Sequence, residues 1–407
     1  MKLIILTKHN PFSVSGASSN RLLGLLKGLL NHNYQITLLI TGGYYEKGEK
    51  EKYKKEGTID MINYEYLSVY DNTTLNKRRL YEYLLKDIIY VKIKWNFIKF
   101  LNSISSNGII WIKQDIVNFK LIKQNNKNEL KYFMEINEFP DIHLHNKSTR
   151  FFWQKSMSNK ANQYLSSTIL PKLDGLALMT NALEHYFSDK IQKNTKVMHL
   201  PMTVDLERFD TKKVYEVLGN VKTPYIAFLG SMNDAKDGVD ILIKSFITIA
   251  PKHPEMQLCL FGFWAYDTEK HLKMIEEANL GNRILYAKAI KEDEVIKVLM
   301  NATLLVLPRP DSYQARGGFP TKLGEYLATG KPVIATTVGE IPNYLKDSES
   351  VFFCKPGDVK SLTESLNYAL SNPEIATKIG IEGRKVAETV FSTNVQSQRL
   401  NLFLRSL

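Results

Sequence analysis

The chain has 407 residues, 44% hydrophobic and 11% aromatic, with a formal net charge of +12. That length allows two ordinary domains with large buried cores, and the composition excludes an intrinsically disordered protein. Cys259 and Cys354, the two cysteines, lie in apolar strand-like runs without metal-ligand spacing; they exclude a disulfide framework and point to a reducing compartment. The opening MKLIILTKHN has too short an apolar run for a signal-peptide core, and no run approaches the length of a membrane-spanning helix, so the expected location is cytoplasmic.

In chain order, residues 2–7 read as a first parallel strand. A Ser-rich loop over 10–20 follows, then a leucine-rich helix over 21–30 and a second strand over 35–41. Residues 42–108 give no clear periodicity and read as a variable, acceptor-facing insertion. Within it, 77–102 hold seven Lys/Arg against two acids, a local +5, interleaved with Tyr, Trp, Phe and Ile. Two readings stay open there: a basic amphipathic surface touching anionic lipid, or a solvated helix pair with core-facing aromatics. Nucleic acid is not expected as a partner, because no nucleic-acid fold signature accompanies the charge.

Further strands are expected over 109–112, 131–136, 175–180 and 196–200, with a short helix over 181–189 capped by Thr180 or Asn181. A second alternating series starts at 225: strands over 225–230, 256–262 and 284–286, and helices over 239–250, 268–278 and 292–300. Alternation of this kind argues for parallel sheets covered on both faces. The terminal 373–407 is read as helical.

The most informative stretch is 301–346. Residues 303–307 form a β-branched apolar strand ended by Pro308 and Pro310, and a loop runs through Gly317 and Gly318. A helix begins near Phe319 with Pro320 in its first turn, Gly330 stops it, and 332–337 is the next strand. Gly339–Ile341 then turns into a short helix at Pro342. Helix starts facing the carboxyl ends of parallel strands bind anions.

These residues resemble the signature of retaining family 4 glycosyltransferases of the GT-B fold, roughly E-G-F-x-x-x-x-x-E-A-M-A-x-G-K-P-V-I-A-x-x-x-G-G-I-P-E. Gly318, Phe319, Glu325, Ala328, Gly330, Lys331, Pro332, Val333, Ile334, Ala335, Gly339, Ile341 and Pro342 match it. Gly317 stands where the first glutamate of the pair belongs, and Glu340 where the second loop glycine belongs. Three further segments carry the likeness. Gly16 matches the second glycine of the family's N-terminal Gly-Gly loop, with Ser15 in place of the first and Asn33 in a turn-glycine slot. LPMTVDLERF (200–209) resembles the interdomain I-P-N-G-V-D-x-x-x-F. GSMNDAKDG (230–238) resembles the phosphate loop G-R-x-x-x-x-K-G, with Gly230 and Lys236 matching, Ser231 in place of arginine and Asp237 in place of the last glycine.

The resemblance implies an α/β protein of two Rossmann-like domains facing a cleft. Residues 1–203 would form an acceptor-side domain on which the C-terminal helix 388–407 packs back, and 204–387 the nucleotide-sugar domain. It implies a retaining glycosyltransferase moving a sugar from a UDP- or GDP-sugar to a glycan or lipid-linked acceptor, in surface polysaccharide biosynthesis. The alternative is a catalytically impaired nucleotide-sugar-binding protein. Glu325 would accept hydrogen bonds from the ribose hydroxyls. Lys236 and Lys322 would stabilise the departing diphosphate, with Arg316 and Arg309 nearby and Glu340 able to replace the missing carboxylate. Gly16, Gly230, Ser231, Arg316, Gly317, Gly318, Phe319, Pro320 and Thr321 would complete the donor site. Glu135 and Glu138 are the acceptor-side carboxylates, while His9 and His199 read as structural. No Asp-x-Asp motif occurs, so no metal and no cofactor beyond the donor are expected. The protein is expected to be cytoplasmic, peripheral on the inner face of the plasma membrane through 77–102.

Overall fold

The computed structural model describes residues 1–14, 16–45, 53–70, 86–104, 107–124, 129–142, 159–219 and 221–407. Ser15 and the first part of the basic stretch, 77–85, lie outside them. The chain divides into two compact units, Met1–Leu200 with Gln396–Leu407, and Pro201–Val395.

The first unit is built on strands β1 (Lys2–Thr7), β2 (Gln35–Ile40), β4 (Glu56–Ile59), β5 (Ile62–Tyr66), β7 (Gly108–Ile112), β8 (Leu130–Ile136), β9 (Gly175–Leu178) and β10 (Lys196–His199). Two two-residue strands, β3 (Tyr44–Tyr45) and β6 (Val69–Tyr70), pair separately. The eight-stranded order is β10-β9-β8-β7-β1-β2-β5-β4. Every neighbouring pair is parallel except β4 against β5. β1 and β7 are apolar almost throughout because helices cover both faces of a parallel sheet. The region 42–108 is therefore not wholly an insertion: β5 continues the sheet. Its INYEY run buries Ile62, Tyr64 and Tyr66 and turns Asn63 and Glu65 outward.

The helix expected over 21–30 starts four residues earlier, at Ala17. The turn at Asn33 is left-handed, with φ 63°. Leu25, Leu29, Leu38, Trp111 and Phe133 form the core of this unit together with Leu400 and Leu404 from the C-terminal helix Thr393–Ser406. Gly175 marks how closely that helix docks, since a Cβ there would lie 2.8 Å from Leu407 and 3.0 Å from Phe403.

The second unit holds β11 (Tyr225–Ser231), β12 (Gln257–Phe263), β13 (Ile284–Lys288), β14 (Leu304–Leu307), β15 (Val333–Thr336) and β16 (Phe352–Cys354). They form one parallel sheet in the order β13-β12-β11-β14-β15-β16. This is the doubly wound order, whose topological switch falls between β11 and β14. The core joins Phe228, Leu260 and Val306 on the sheet to Leu242, Phe246, Leu362 and Leu366 on its helices. Cys259 and Cys354 are buried free thiols, each pushed up to about 12, chiefly by desolvation.

Candidate active site

In the second unit, the loops after β11 and β14 meet at the switch point. Ser231 is followed by the short helix Asp234–Asp237, whose start is capped by Asn233 accepting from the Lys236 amide at 2.9 Å. The left-handed residue of this loop is Gly238, with φ 67°, and a Cβ there would collide with the Pro308 carbonyl oxygen. The glycine that the motif places at Asp237 is thus supplied one position later. Asp237 is buried, and one of its carboxylate oxygens accepts from the Ser231 amide at 3.0 Å. Beneath this loop a Cβ on Gly262 would overlap the Gly230 carbonyl oxygen, so two neighbouring strand ends touch backbone to backbone.

Lys322 enters from the first turn of the helix Thr321–Ala328. Its ammonium lies 3.4 Å from Asp237 and 5.5 Å from the centroid of the Phe228 ring. A Cβ at Gly230 would sit 2.5 Å from Lys322 Nζ, so the glycine leaves the space that the ammonium occupies. Burial pushes this lysine below the ordinary lysine value; Asp237 opposes the shift, while Lys236 and Arg309 add to it. The side chain keeps 29% of its exposure. A partly desolvated cation with a single carboxylate partner attracts a second anion more strongly than a solvated one. Lys236 itself is exposed.

Glu325 is one turn further along the same helix. It pairs with Arg208 at 3.0 Å, both side chains about a quarter exposed. Arg208 belongs to the 3-10 turn Leu206–Arg208, whose start is capped by Asp205. The helix lies against the 201–205 segment so closely that a Cβ on Gly324 would come within 2.7 Å of Met202 Sδ. The buried Tyr326 hydroxyl accepts from the Leu229 amide at 2.9 Å, which ties the helix to β11.

The expected glycine loop is partly helical. Ser312 caps the helix Tyr313–Gly317, accepting from the Ala315 amide at 3.1 Å, and the Gly318 amide donates to Gln314. Gly317 and Gly318 are buried, and Pro320 precedes the next helix as its cap residue. Arg316 points into solvent and chelates Asp311 at 2.7 and 2.8 Å. Phe319 is buried, stacked on Tyr344 at 5.5 Å and edge-on to Phe391. Gly339 is left-handed with φ 54°, because a Cβ there would strike the Ala315 carbonyl oxygen. Glu340 is buried at the start of the four-residue helix Ile341–Tyr344 and accepts from Asn343 at 3.3 Å. Lys322, Asp237, Gly230 and Ser231 thus gather around one point, with Lys236 on the same loop. Glu340 and Phe319 are buried, Glu340 beside Asn343 and Phe319 against Tyr344 and Phe391.

Under the loop, His271 is fully buried and lies 2.6 Å from Asp234 and 3.0 Å from the Tyr286 hydroxyl. Lys270 also reaches Asp234 at 2.7 Å. Burial alone would raise the Asp234 carboxyl, but the hydrogen bonds from His271 and Lys270 hold it down at about 2. Among the described residues, no group of three or more His, Cys, Asp or Glu side chains is placed to hold a metal ion.

In the first unit, Gly16 caps the helix Ala17–Leu30 with φ 152° and open space where a Cβ would be. Glu135 is buried at the end of β8 and holds Arg21 at 2.7 Å and Lys113 at 3.3 Å. Burial would raise its carboxyl, yet Arg21 and Lys113 outweigh that and keep it below the ordinary value. Arg21 also donates to the Leu200 carbonyl at 3.0 Å. Glu135 is therefore the hub of an internal ion network, while Glu138 is exposed. His199 has its Nε2 3.1 Å from the Met179 carbonyl oxygen. Arg21, Arg208 and Gly238 escape the sequence reading. Arg21 carries the one sequence signal among them, a charge at the head of an otherwise leucine-lined helix face.

This geometry is that of a doubly wound α/β unit with two loops meeting at its switch point. Residues 211–386 match the glycosyl transferases group 1 family model. A curated relative, the GDP-mannose-dependent monoacylated alpha-(1-6)-phosphatidylinositol monomannoside mannosyltransferase of Corynebacterium glutamicum, is 25% identical over 247 residues. That match covers 58% of this chain and 63% of the relative, so the chain spans under two-thirds of the relative's length. Among solved structures, sucrose-phosphate synthase from Thermosynechococcus elongatus superposes with a TM-score of 0.71 at 16% identity, covering 100% of this chain and 98% of the other. Anabaena HepE, solved with UDP and glucose, gives 0.67 at 14% identity over 100% of both chains. The fold is GT-B.

Proposed function

We propose that the chain is a retaining, metal-independent glycosyltransferase that moves a sugar from a UDP- or GDP-sugar to a glycan or lipid-linked acceptor. The observation that carries this reading is the Lys322 ammonium, seated in the space left by Gly230 at the switch point of a group 1 domain. The bond from the anomeric carbon to the diphosphate oxygen breaks as a bond to the acceptor oxygen forms on the same face. The acceptor's proton passes to the leaving diphosphate. Charge building on that diphosphate is met by Lys322 and Lys236 and by the open amides at the start of the helix Thr321–Ala328. Glu325, which pairs with Arg208 at 3.0 Å, would accept hydrogen bonds from the ribose. The C. glutamicum relative's GDP-mannose and HepE's UDP support the two donor classes. We place the reaction in surface polysaccharide assembly at the cytoplasmic face of the membrane.

A second reading, a nucleotide-sugar-binding protein without turnover, draws on two observations. The Ser231 amide is already occupied by Asp237, and a buried Gly317 stands where the family carries a carboxylate. A panel of UDP- and GDP-sugars with release of nucleoside diphosphate separates the two. Turnover that survives chelator and falls about 10²–10³-fold in Lys322→Met supports transfer through this site. Nucleotide binding without release of sugar supports the second reading.

A further inference from the structure

The helix Lys86–Ser103 is apolar on two opposite faces. Its inner stripe, Ile93, Phe97 and Leu101, is buried in the first unit, and Asn96 donates to the Leu67 carbonyl at 2.7 Å. The helix is therefore fixed in rotation by its inner side. The opposite stripe is Ile88, Val91, Trp95 and Ile98, exposed by 68%, 63%, 63% and 44%. Spacings of three, four and three residues put these four side chains in one line, about 15 Å long at 1.5 Å per residue. Lys92 and Lys99 are exposed beside the line, and Lys99 Nζ lies 5.5 Å from the Trp95 ring centroid. The helix has four lysines and one acid, Asp87 in its first turn, a net 4 − 1 = +3.

We propose that this outer stripe docks on an anionic lipid bilayer. Trp95 would settle at the headgroup boundary, Ile88, Val91 and Ile98 beneath it, and the lysine stems would reach up to anionic headgroups. Charge complementarity selects this occupant. A second copy of a chain of net charge +12 would set lysine against lysine, whereas an anionic surface gains from every one. A solvated helix does not require four large apolar residues in line on its wet side. The proposal is independent of the glycosyl-transfer reading.

The test is flotation of the full chain with vesicles of phosphatidylcholine alone, or with about a third phosphatidylglycerol. The structure predicts binding to the anionic vesicles, weakened by salt. Trp95→Glu should weaken it at least about tenfold, and Lys92→Gln with Lys99→Gln by about fivefold for each lysine removed. Trp95→Phe should abolish a blue shift of tryptophan fluorescence on binding, with an unchanged melting temperature showing that the fold is intact. No binding to anionic vesicles overturns the proposal, as does binding that Trp95→Glu leaves unchanged. Concentration-dependent dimerisation removed by Ile98→Glu would assign the stripe to a second copy instead. Binding of a single-stranded oligonucleotide that requires Lys92 and Lys99, without vesicle binding, would assign it to nucleic acid.

Discussion

Replacing Glu135 with alanine tests whether this carboxylate is structural or faces a substrate. Its side chain is 1% exposed, and Arg21, at 3%, keeps both a 2.7 Å ion pair and a hydrogen bond to Leu200. Removing the carboxylate leaves the guanidinium buried without its counter-charge, which costs about 3–5 kcal/mol. In a unit of this size each kcal/mol lowers the melting temperature by about 2–4 °C, so the expected fall is about 6–20 °C. Thermal melts of Glu135→Ala, of Arg21→Leu and Glu135→Leu singly, and of the double leucine variant measure it. The double variant should lose less than the sum of the two single losses, because the pair is removed together. The folded carboxyl is held below its ordinary value of 4.5, so the pair's contribution is full above that pH. It is lost as pH falls through the depressed value, and the difference between wild type and Glu135→Ala should shrink there. A loss below about 1 kcal/mol at neutral pH would refute the buried network and return Glu135 to the acceptor side.

Three further outcomes are expected. Asp234→Asn should cost about 2 kcal/mol at neutral pH, since a carboxyl depressed from 3.8 to about 2 stabilises the fold above 3.8; urea titrations should show the deficit vanish as pH drops towards 2. Gly238→Ala should destabilise the second unit by at least about 1 kcal/mol, because the residue is left-handed and its Cβ meets the Pro308 carbonyl; a neutral melt would mean that the two loops do not touch. Lys322→Met should cut turnover about 10²–10³-fold in a variant that stays folded by circular dichroism, with a lower melting temperature because the buried Asp237 loses its cation.

Where period and β-branching act alone, the sequence is readable: β1, β11, β12 and β14 fall within a residue or two of expectation. β5 escapes because its alternation spans only five residues, with Ile62 the one β-branched member. The helix Tyr313–Gly317 escapes because Gly317, its last residue, and Gly318 after it resemble a loop, although Ser312 is a good cap. The motif residues Gly230 and Glu325, and Lys322 at a variable position within the motif, can be placed from their neighbours in sequence. Their partners cannot. Arg208 meets Glu325 across 117 positions, and Arg21 meets Glu135 across 114. The shift of the left-handed glycine from the Asp237 slot to Gly238 is set by Pro308, about 70 residues away, which no local pattern reveals.

The most direct measurement is thermal stabilisation by UDP, GDP and their common sugar conjugates, on wild type and Glu325→Ala. A nucleotide at about a hundred times its dissociation constant adds about 2.7 kcal/mol, a readily measured rise in melting temperature. A donor site at the switch point predicts a rise with one base, reduced or abolished in Glu325→Ala and in Lys322→Met. No rise with any nucleotide, or a rise indifferent to both substitutions, would contradict a donor site at the β11–β14 switch point.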